Sequence, residues 1–368
     1  MPTEAAHRRP KAKMPVTLAP KAVAPSIDPV WSAVHSLHYE QLANQQNMLE
    51  DSIRTSAYHQ AITHNPTDFK DRVVLDVGAG SGILSLFAAQ AGARHVYAVE
   101  GTEMAGFART LCEKNGYADR ITVIESPFDK VDLKEKVDVI VSEPLGILLV
   151  HERMLEVFLA ARQRWLKPGG KMYPSRGRMW LAPFRDEYLW GTRTEKTTFW
   201  ADKNFYGVDL GGLAATARDE MLAMPVCGPV DESILMGSPD ACAVDFCSAT
   251  PEDLALIHFD FTLVAAHHGA VHGLAAWFDV SFDGSDEIVP LTTAPGAPGT
   301  HWHQLRLMFA QPIEMSVGQA LWGRLTMTAN AQSSYTLTLS AELESKGKLE
   351  TQTYALHRHI YWWHNGVS

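Results

Sequence analysis

Cysteine is scarce in this chain of 368 residues, which has four, and no two of them form a Cys-x-x-Cys pair. That argues against a disulfide framework and favours a reducing compartment. Long apolar runs are also lacking, because none approaches the roughly 18 residues that a membrane-spanning helix needs. No apolar h-region occurs within the N-terminal residues, so we expect neither a secretory signal nor a membrane anchor.

Net positive charge is absent as well. The 32 Lys and Arg residues are outnumbered by 42 Asp and Glu residues, a net charge of −10. This argues against direct nucleic-acid binding and suits a cationic partner. The hydrophobic fraction of 46% excludes global disorder, and the length fits about two domains. Residues 1–34 are rich in proline and carry a basic cluster from Arg8 to Lys13, so we predict a flexible tail; a transit peptide or a nuclear signal is the alternative.

The first half of the chain alternates between strand-like and helix-like patterns. Residues 40–63 are predicted to form one helix, closed by Pro66. Buried strands are expected at 72–77, 95–99, 121–125 and 137–142, and helices at 83–91, 103–115 and 152–166. The last of these helices is expected to end at the sequence Lys167-Pro168-Gly169-Gly170. Such alternation predicts a parallel sheet with helices on both faces.

The sequence pattern changes near Tyr173-Pro174, where the second half begins. Short alternating runs at 271–282, 302–309, 320–330 and 335–343 are typical of an antiparallel sandwich or barrel. Between residues 184 and 225 lies a segment that does not alternate and is rich in aromatic residues. We expect that segment to be partly helical.

A glycine turn follows the first strand of the predicted parallel sheet. The run Gly78-Ala79-Gly80-Ser81-Gly82 leads into a helix, where glycine lets the backbone approach a ligand. A dinucleotide site needs G-x-G-x-x-G, but Ile83 stands at the third glycine position, which favours a ligand without pyrophosphate. Glu100 ends the next strand, where its carboxylate can accept hydrogen bonds from both ribose hydroxyls. The pattern favours S-adenosylmethionine over NAD; a turn that serves only packing is the alternative.

Two glutamates flank the connection that leaves the fourth strand. Glu143 lies in Ser142-Glu143-Pro144-Leu145-Gly146, at the strand edge where open α/β sheets bind substrates, and Glu152 follows nine residues later. Two such carboxylates bind a metal, act as an acid–base pair or hold a cation. No His or Asp completes a metal site nearby, and a glycosidase pair leaves the methyl donor unexplained. A guanidinium fits best because it pairs bidentately with carboxylates. Glu152 alone is equally well explained as a helix N-terminal residue.

The motifs, taken in order, resemble those of the protein arginine N-methyltransferase family. The resemblance covers about residues 35–343 and is closest to the type I, coactivator-associated subgroup, which also has proline after the first glutamate. The long C-terminal extension of that subgroup is not expected here. The matching residues are Gly78 to Gly82, Glu100, Ser142 to Gly146, His151-Glu152-Arg153-Met154 and Thr300-His301-Trp302.

This resemblance implies an α/β fold of two parts. Residues 35–174 would form an N-terminal helix and a Rossmann-like S-adenosylmethionine-dependent methyltransferase domain. Residues 175–368 would form an antiparallel β-barrel substrate domain with an inserted helical dimerisation arm at about 186–222. The boundary proline, often cis in the family, is Pro174. A homodimer located in the cytoplasm, the nucleus or both is implied.

The implied activity is methyl transfer from S-adenosylmethionine to arginine in protein substrates such as histone tails or RNA-binding proteins. The products would be monomethyl and asymmetric dimethyl arginine, with S-adenosylhomocysteine released. Alternatives are a symmetric or mono-only arginine methyltransferase and a catalytically weak, methyltransferase-like scaffold. A small-molecule methyltransferase is a further alternative, although a neutral or anionic substrate gains nothing from two carboxylates.

The family pattern also implies a set of site residues and no metal. Glu143 and Glu152 would grip the guanidinium, Arg54 would bind the cofactor carboxylate, and Asp129 the adenine amino group. An Asp51–His301 pair would take the released proton; water and Glu152 are equal alternatives. Met48 and Met154 would fill the space that a symmetric product needs. The complete implied set is: catalytic Glu143, Glu152, His301 and Asp51; cofactor-binding Arg54, Asp76, Gly78, Gly80, Glu100, Phe128, Asp129 and Met48; substrate-binding Met154, Trp302 and Tyr39.

Several positions depart from the family pattern, including Asp129, where the family usually has glutamate. His35-Ser36 stands where the subgroup usually has Tyr-Phe, residues that help to close a lid over the cofactor. Leu145 stands where methionine is usual, and Ala79 where cysteine is frequent.

Overall fold

A computed structural model describes residues 22–344 and 346–362 of the chain. Residues 1–21 of the predicted tail therefore lie outside the described residues. Residues 29–34, which the sequence assigned to that tail, are helical, because Asp28 caps a helix that has proline at its first position. The described helices are α1 (Pro29–Tyr39), α2 (Leu42–Glu50), α3 (Ser52–Thr63), α4 (Pro66–Phe69), α5 (Ile83–Gln90), α6 (Met104–Lys114), α7 (Met154–Trp165), α8 (Glu187–Thr198), α9 (Ala214–Leu222) and α10 (Pro251–Ala255).

The strands fall into two groups, one in each half of the chain. Those of the first half are β1 (Val73–Val77), β2 (His95–Glu100), β3 (Ile121–Glu125), β4 (Val137–Ser142) and β5 (Leu166–Tyr173). Those of the second half are β6 (Arg176–Phe184), β7 (Val226–Cys227), β8 (Asp240–Asp245), β9 (Leu256–Val264), β10 (Gly269–Asp283), β11 (Ile288–Thr292), β12 (Leu305–Met315), β13 (Ala320–Asn330), β14 (Ser334–Leu343), β15 (Gly347–Lys348), β16 (Gln352–Ala355) and β17 (Ile360–Tyr361).

The first five strands form one parallel sheet in the order β3-β2-β1-β4-β5. A parallel sheet was predicted, with four of these strands; β5 was not predicted. Every residue of β1 is buried, which is typical of a strand covered on both faces. The strand order reverses between β1 and β4. That switch point opens a crevice at the carboxyl edge of the sheet, where ligands of open α/β folds bind.

The prediction of a single helix over residues 40–63 is wrong. The helix is broken at Asp51, whose ψ of 89° is not helical and whose side chain accepts a hydrogen bond from the Arg54 amide at 2.9 Å. An aspartate in this position caps a new helix. The apolar periodicity runs through the break and hides it.

The region around α7 also differs from expectation. The helix begins at Met154 rather than at Glu152, because Glu152 and Arg153 have left-handed φ angles of 73° and 59°. The sequence Lys167-Pro168-Gly169-Gly170 follows the end of α7, as expected, and it lies inside β5, a strand that was not predicted. A Cβ on Gly170 would lie 2.7 Å from the Asp138 carbonyl oxygen, so glycine allows β5 to approach β4.

The second half is built from two antiparallel sheets that form a barrel-like domain. One sheet has the order β17-β7-β12-β10-β6-β8 with β11 beside β10, and in it the short edge strand β17 runs parallel to β7. The other has the order β15-β14-β13-β9 with β16 beside β14. A cis Tyr173-Pro174 bond joins the two halves, as the resemblance implied. Helices α8 and α9 lie between β6 and β7, where the arm was predicted.

The two halves share a continuous hydrophobic core. Tyr58 of α3 packs edge-on against Phe282 of β10, with ring centroids 4.8 Å apart. Within the described ranges, no helix is long and apolar enough to cross a bilayer.

Candidate active site

The loop from Glu143 to Glu152 joins β4 to α7 at the carboxyl edge of the parallel sheet. It folds back on itself, with the Gly146 amide donating to the Leu149 carbonyl oxygen at 3.2 Å. A Cβ on Gly146 would lie 2.1 Å from the His151 carbonyl oxygen, so only glycine permits this close approach. The folded loop brings both carboxylates near the Tyr39 phenol. Burial, followed by the charges of Glu152 and Glu143, raises the pKa of Tyr39.

Glu143 is already engaged with a guanidinium. Its Oε2 accepts hydrogen bonds from Arg54 Nη2 at 3.0 Å and Nε at 3.3 Å, and its Oε1 accepts one from the Leu145 amide at 3.0 Å. Burial raises the pKa of Glu143, and Arg54 opposes the shift. Arg54, which the family pattern assigns to the cofactor carboxylate, therefore lies on the first glutamate in this structure. Its role toward the cofactor stays a prediction.

Glu152 has different partners. Its Oε2 accepts hydrogen bonds from the Tyr39 hydroxyl at 2.8 Å and from His35 Nε2 at 3.0 Å. Burial acts to raise the pKa of Glu152, but the hydrogen bond and charge of His35 outweigh it, so the pKa is lowered. The two carboxylates thus have pKa values shifted in opposite directions, a property that marks functional pairs.

Asp51 and His301 are brought together, as the resemblance implied. Asp51 Oδ2 lies 2.8 Å from His301 Nδ1 and accepts the His301 amide at 2.7 Å. Burial acts to raise the pKa of Asp51, but hydrogen bonds from His301 and from the Arg54 amide lower it. Neighbouring Trp302 is buried, and its indole nitrogen donates to the Leu145 carbonyl oxygen at 3.2 Å. Trp302 therefore supports the carboxylate loop; direct contact with a substrate stays a prediction.

The glycine turn forms a cradle beside this loop. Gly78, Gly80 and Gly82 have positive φ angles of 71°, 52° and 81°. A Cβ on Gly80 would lie 2.9 Å from Gln45 Oε1, and one on Gly78 would lie 3.3 Å from Met154 Cε, so added side chains would fill the cradle.

Two carboxylates lie beside the cradle. Glu100 accepts the Gly80 amide at 2.8 Å and the Thr102 amide at 2.9 Å. A glycine backbone with an adjacent carboxylate fits an adenosine group, and the contacts of these residues with a cofactor stay predictions. Asp76 is fully buried, accepts the Ser85 hydroxyl at 2.7 Å, and has a second oxygen without a partner among the described residues.

The remaining predicted residues take varied positions. Phe128 and Asp129 form a short 3-10 turn after β3, and Phe128 packs edge-on against Trp165 with ring centroids 5.1 Å apart. The Met48 carbonyl oxygen accepts Arg54 Nη1 at 3.2 Å. The ligand contacts proposed for these residues stay predictions. Within the described part of the chain, no three His, Cys, Asp or Glu side chains are grouped to hold a metal ion.

Two residues that the sequence reasoning missed hold the site together. Arg153 binds Glu156 through Nε at 2.7 Å and Nη2 at 2.8 Å, while its Nη1 donates to the Pro25 and Asn330 carbonyl oxygens, both at 2.8 Å. It appeared in a motif but was given no role. His35 was noted only as a departure, because helix α1 was not predicted.

Comparisons with known proteins agree with this geometry. Residues 74–170 match the family described as a methyltransferase domain, and residues 175–348 match the family described as the arginine methyltransferase oligomerization subdomain. The fold and the site therefore define a Rossmann-like methyltransferase followed by an antiparallel domain.

Similar proteins narrow the class. The chain is 49% identical over 327 residues to a probable histone-arginine methyltransferase CARM1 of Oryza sativa subsp. indica, covering 87% of this chain and 62% of the rice protein. It resembles a solved structure of the Trypanosoma brucei PRMT1 enzyme-prozyme heterotetrameric complex with AdoHcy (32% identity, TM-score 0.77, 86% of this chain and 99% of that one). It also resembles Arabidopsis thaliana protein arginine methyltransferase 10 (34% identity, TM-score 0.77, 86% and 98%). This chain belongs to the protein arginine methyltransferase family.

Proposed function

We propose that this protein transfers methyl groups from S-adenosylmethionine to arginine guanidinium nitrogens, giving monomethyl and then asymmetric dimethyl arginine. The observation that supports this most is the guanidinium of Arg54 seated on the largely buried Glu143, with Glu152 on the same loop. Glu143 already pairs with the chemical group that the reaction requires. A neutral substrate would gain no charge pairing from these two carboxylates.

The cofactor would be held by the glycine cradle and its surroundings. Gly78 and Gly80 would take the adenosine against their backbone, and Glu100 would accept the ribose hydroxyls. Arg54 would leave Glu143 for the cofactor carboxylate, which frees a Glu143 oxygen for the substrate. When bound, S-adenosylmethionine supplies an electrophilic methyl group on a sulfonium.

The protein's own contribution is positioning and electrostatics. Glu143 and Glu152 would hold the substrate guanidinium and draw its positive charge toward the nitrogens that they contact. The remaining terminal nitrogen then keeps more lone-pair character and faces the methyl donor. Alignment of this kind supplies a large part of the rate enhancement of two-substrate reactions. The released proton would pass to His301, held by Asp51; water and Glu152 are the alternatives.

The comparisons support protein substrates. The rice relative is named for histone arginine, and the net charge of −10 favours cationic partners, so we propose arginine-containing proteins such as histone tails or RNA-binding proteins. The chain spans 62% of the rice protein's length, so these substrates are part of the proposal. We also propose a nuclear or cytoplasmic location for the protein.

A homodimer is proposed from the arm. Its apolar side chains are exposed, including Phe199 at 48%, Tyr206 at 94% and Leu213 at 52%, and exposed apolar clusters of this kind mark contact sites. Phe107 and Leu111 of α6 expose apolar surface on the methyltransferase domain of each copy.

The test is label transfer from isotopically marked S-adenosylmethionine to an arginine-rich peptide, followed by chromatography of the hydrolysed products. We expect label in monomethyl and asymmetric dimethyl arginine. A matched peptide with lysine at every arginine position should remain unlabelled. Absence of label in arginine would contradict the proposal.

A further inference from the structure

Helix α1 carries two side chains, one turn apart, to a single oxygen of the active site. His35 Nε2 and the Tyr39 hydroxyl both reach Glu152 Oε2, at 3.0 Å and 2.8 Å. Their rings lie against each other, with centroids 4.7 Å apart. An ionised carboxylate only accepts hydrogen bonds, so His35 Nε2 carries a proton and donates it.

The position of α1 is fixed at both ends. At its start, Asp28 caps the helix and donates its amide to the Ala331 carbonyl oxygen at 2.8 Å. Arg153 holds the preceding segment through the Pro25 carbonyl oxygen. At its end, the Tyr39 carbonyl oxygen accepts Gln45 Nε2 at 3.0 Å. The contact of His35 with Glu152 is therefore set by the fold around it.

The charge of His35 determines what Glu152 offers to a substrate. Beside a neutral imidazole, Glu152 keeps its full negative charge for a guanidinium. When His35 is an imidazolium, it neutralises the charge of Glu152. It also repels a substrate guanidinium that approaches the same carboxylate. Histidine is the side chain that makes this change between about pH 5 and 8.

Other titratable groups face Glu152 from several elements. Tyr39 shares α1, and His151 precedes Glu152 on its own loop. From the C-terminal segment, Tyr361 lies near Glu152, while His357 and His359 lie near His151. Burial lowers the pKa of His151 to about 4, so His151 stays neutral near pH 6. Burial also lowers the pKa of His357. His35 is the histidine whose ring bonds the Glu152 side chain.

We propose that His35 is a positioning residue for the substrate arginine: its neutral imidazole orients Glu152, and its imidazolium form neutralises Glu152 and repels the incoming guanidinium. The inference rests on the proposed function and adds a determinant of substrate binding to it. It predicts that arginine binding weakens at lower pH because His35 gains a proton, and not because the glutamates do.

The experiment compares the KM for an arginine peptide and kcat at pH 6 and pH 8 in the intact protein. Histidine side chains change charge between about pH 5 and 8, so the wild-type KM should rise at least about threefold from pH 8 to pH 6. In His35→Gln, which keeps an N–H donor without titrating, the rise should be below about twofold. The ratio of kcat at the two pH values should match that of the wild type, because His35 contacts the clamp and not the reacting nitrogen.

Two controls and a second variant keep the test decisive. His38→Gln, on the same helix, and His359→Gln, across the site, should show the wild-type KM ratio. His35→Tyr guards against poor folding of His35→Gln and should also show a flat ratio. If both His35 variants show the wild-type ratio of KM at pH 6 to KM at pH 8, the proposed role of His35 is wrong, while the proposed function is unaffected. Absence of methylation by the wild type at pH 8 would overturn the proposed function and, with it, this inference.

Discussion

Asp51 and His301 lie 250 residues apart in the chain, yet Asp51 Oδ2 is 2.8 Å from the His301 ring nitrogen and 2.7 Å from its amide. The same aspartate caps α3 through its other oxygen. One carboxylate thus joins the break between α2 and α3 to a loop of the barrel-like domain. Because the two roles use different oxygens, substitutions can separate them.

Asp51→Asn should preserve the helix cap and impair the reaction. Asparagine caps helices as well as aspartate does, so the free energy of unfolding should stay near the wild-type value, whereas Asp51→Ala should lose about 1 kcal/mol. Both variants lack the anion that stabilises charged His301, and kcat should fall at least about tenfold in each. Thermal unfolding and steady-state kinetics measure the two effects. Unchanged kcat in Asp51→Asn would remove the pair from the proton path.

Glu152→Gln should abolish methyl transfer and leave cofactor binding nearly intact. The change removes one anion from the proposed clamp and touches nothing near the adenosine cradle. A hydrogen bond to a charged group contributes about 1.5–3 kcal/mol, so kcat/KM should fall by at least about tenfold. Kinetics and calorimetric titration with S-adenosylhomocysteine measure the two outcomes. Exposed Glu113→Gln is the matched control, and near-normal turnover in Glu152→Gln would refute the clamp.

Gly146→Ala should disrupt the carboxylate loop. The added Cβ would lie 2.1 Å from the His151 carbonyl oxygen, a distance that forces the backbone to move. We expect a loss of more than about 2 kcal/mol in the free energy of unfolding, together with a loss of activity. Gly106→Ala is the control: it lies inside α6 with nothing within 4 Å of a new Cβ, and should gain about 0.5–1 kcal/mol. Equal stability of the two variants would contradict the loop geometry.

Removal of the arm should yield a monomer. Deletion of residues 187–204 takes away α8 and its exposed aromatic side chains, so light scattering should give the mass of one chain, and cofactor binding should weaken. Tyr206→Asp, at a side chain that is 94% exposed, should weaken the dimer without deleting structure. Val317→Asp, exposed on a turn of the barrel-like domain, is the control. A wild-type monomer at micromolar concentration would contradict the proposed dimer.

Met48→Phe should permit some symmetric dimethyl arginine, whereas the wild type should make the asymmetric product. Met154 lies beside the glycine cradle, where its Cε is 3.3 Å from a Cβ built on Gly78, and Met48 is three residues before Asp51. Their thioethers are expected to fill the space that a methyl on the other terminal nitrogen needs, although methionine is deformable. Mass spectrometry distinguishes the products, because the two dimethyl forms lose different neutral amines. Mainly symmetric product from the wild type would overturn the type I assignment.

Local pattern was a reliable guide to the parallel half of the molecule. Strands β1 to β4 and the glycine turn were predicted close to their observed bounds, because buried strands leave a continuous apolar run and a ligand turn needs glycine. The segment that does not alternate contains α8 and α9, as the prediction of a partly helical segment had it; its role as a dimerisation arm stays a prediction. The errors came from local chemistry that competes with periodicity: the cap at Asp51 and the left-handed residues Glu152 and Arg153.

The sequence predicted which residues make up the candidate site but only some of the contacts between them. The order of the motifs indicated Glu143, Glu152 and His301, and the family resemblance added Asp51. The sequence did not predict that Arg54 pairs with Glu143. It also did not predict that Arg153 donates hydrogen bonds to the Pro25 and Asn330 carbonyl oxygens. Such contacts join residues far apart in sequence, and spacing carries no information about them.

The sequence by itself determined which chemical groups are present and which local structures they favour: the glycine turn, the two carboxylates, and the change from parallel to antiparallel texture. The tertiary structure decided which of those groups meet. It laid α1 across the site so that His35 and Tyr39 share one oxygen of Glu152, a contact between residues 117 and 113 positions apart. The physical reason is that backbone preference and hydrophobic periodicity act over a few residues, whereas the pairing of a carboxylate with its donors depends on how the two packed halves bring distant segments together.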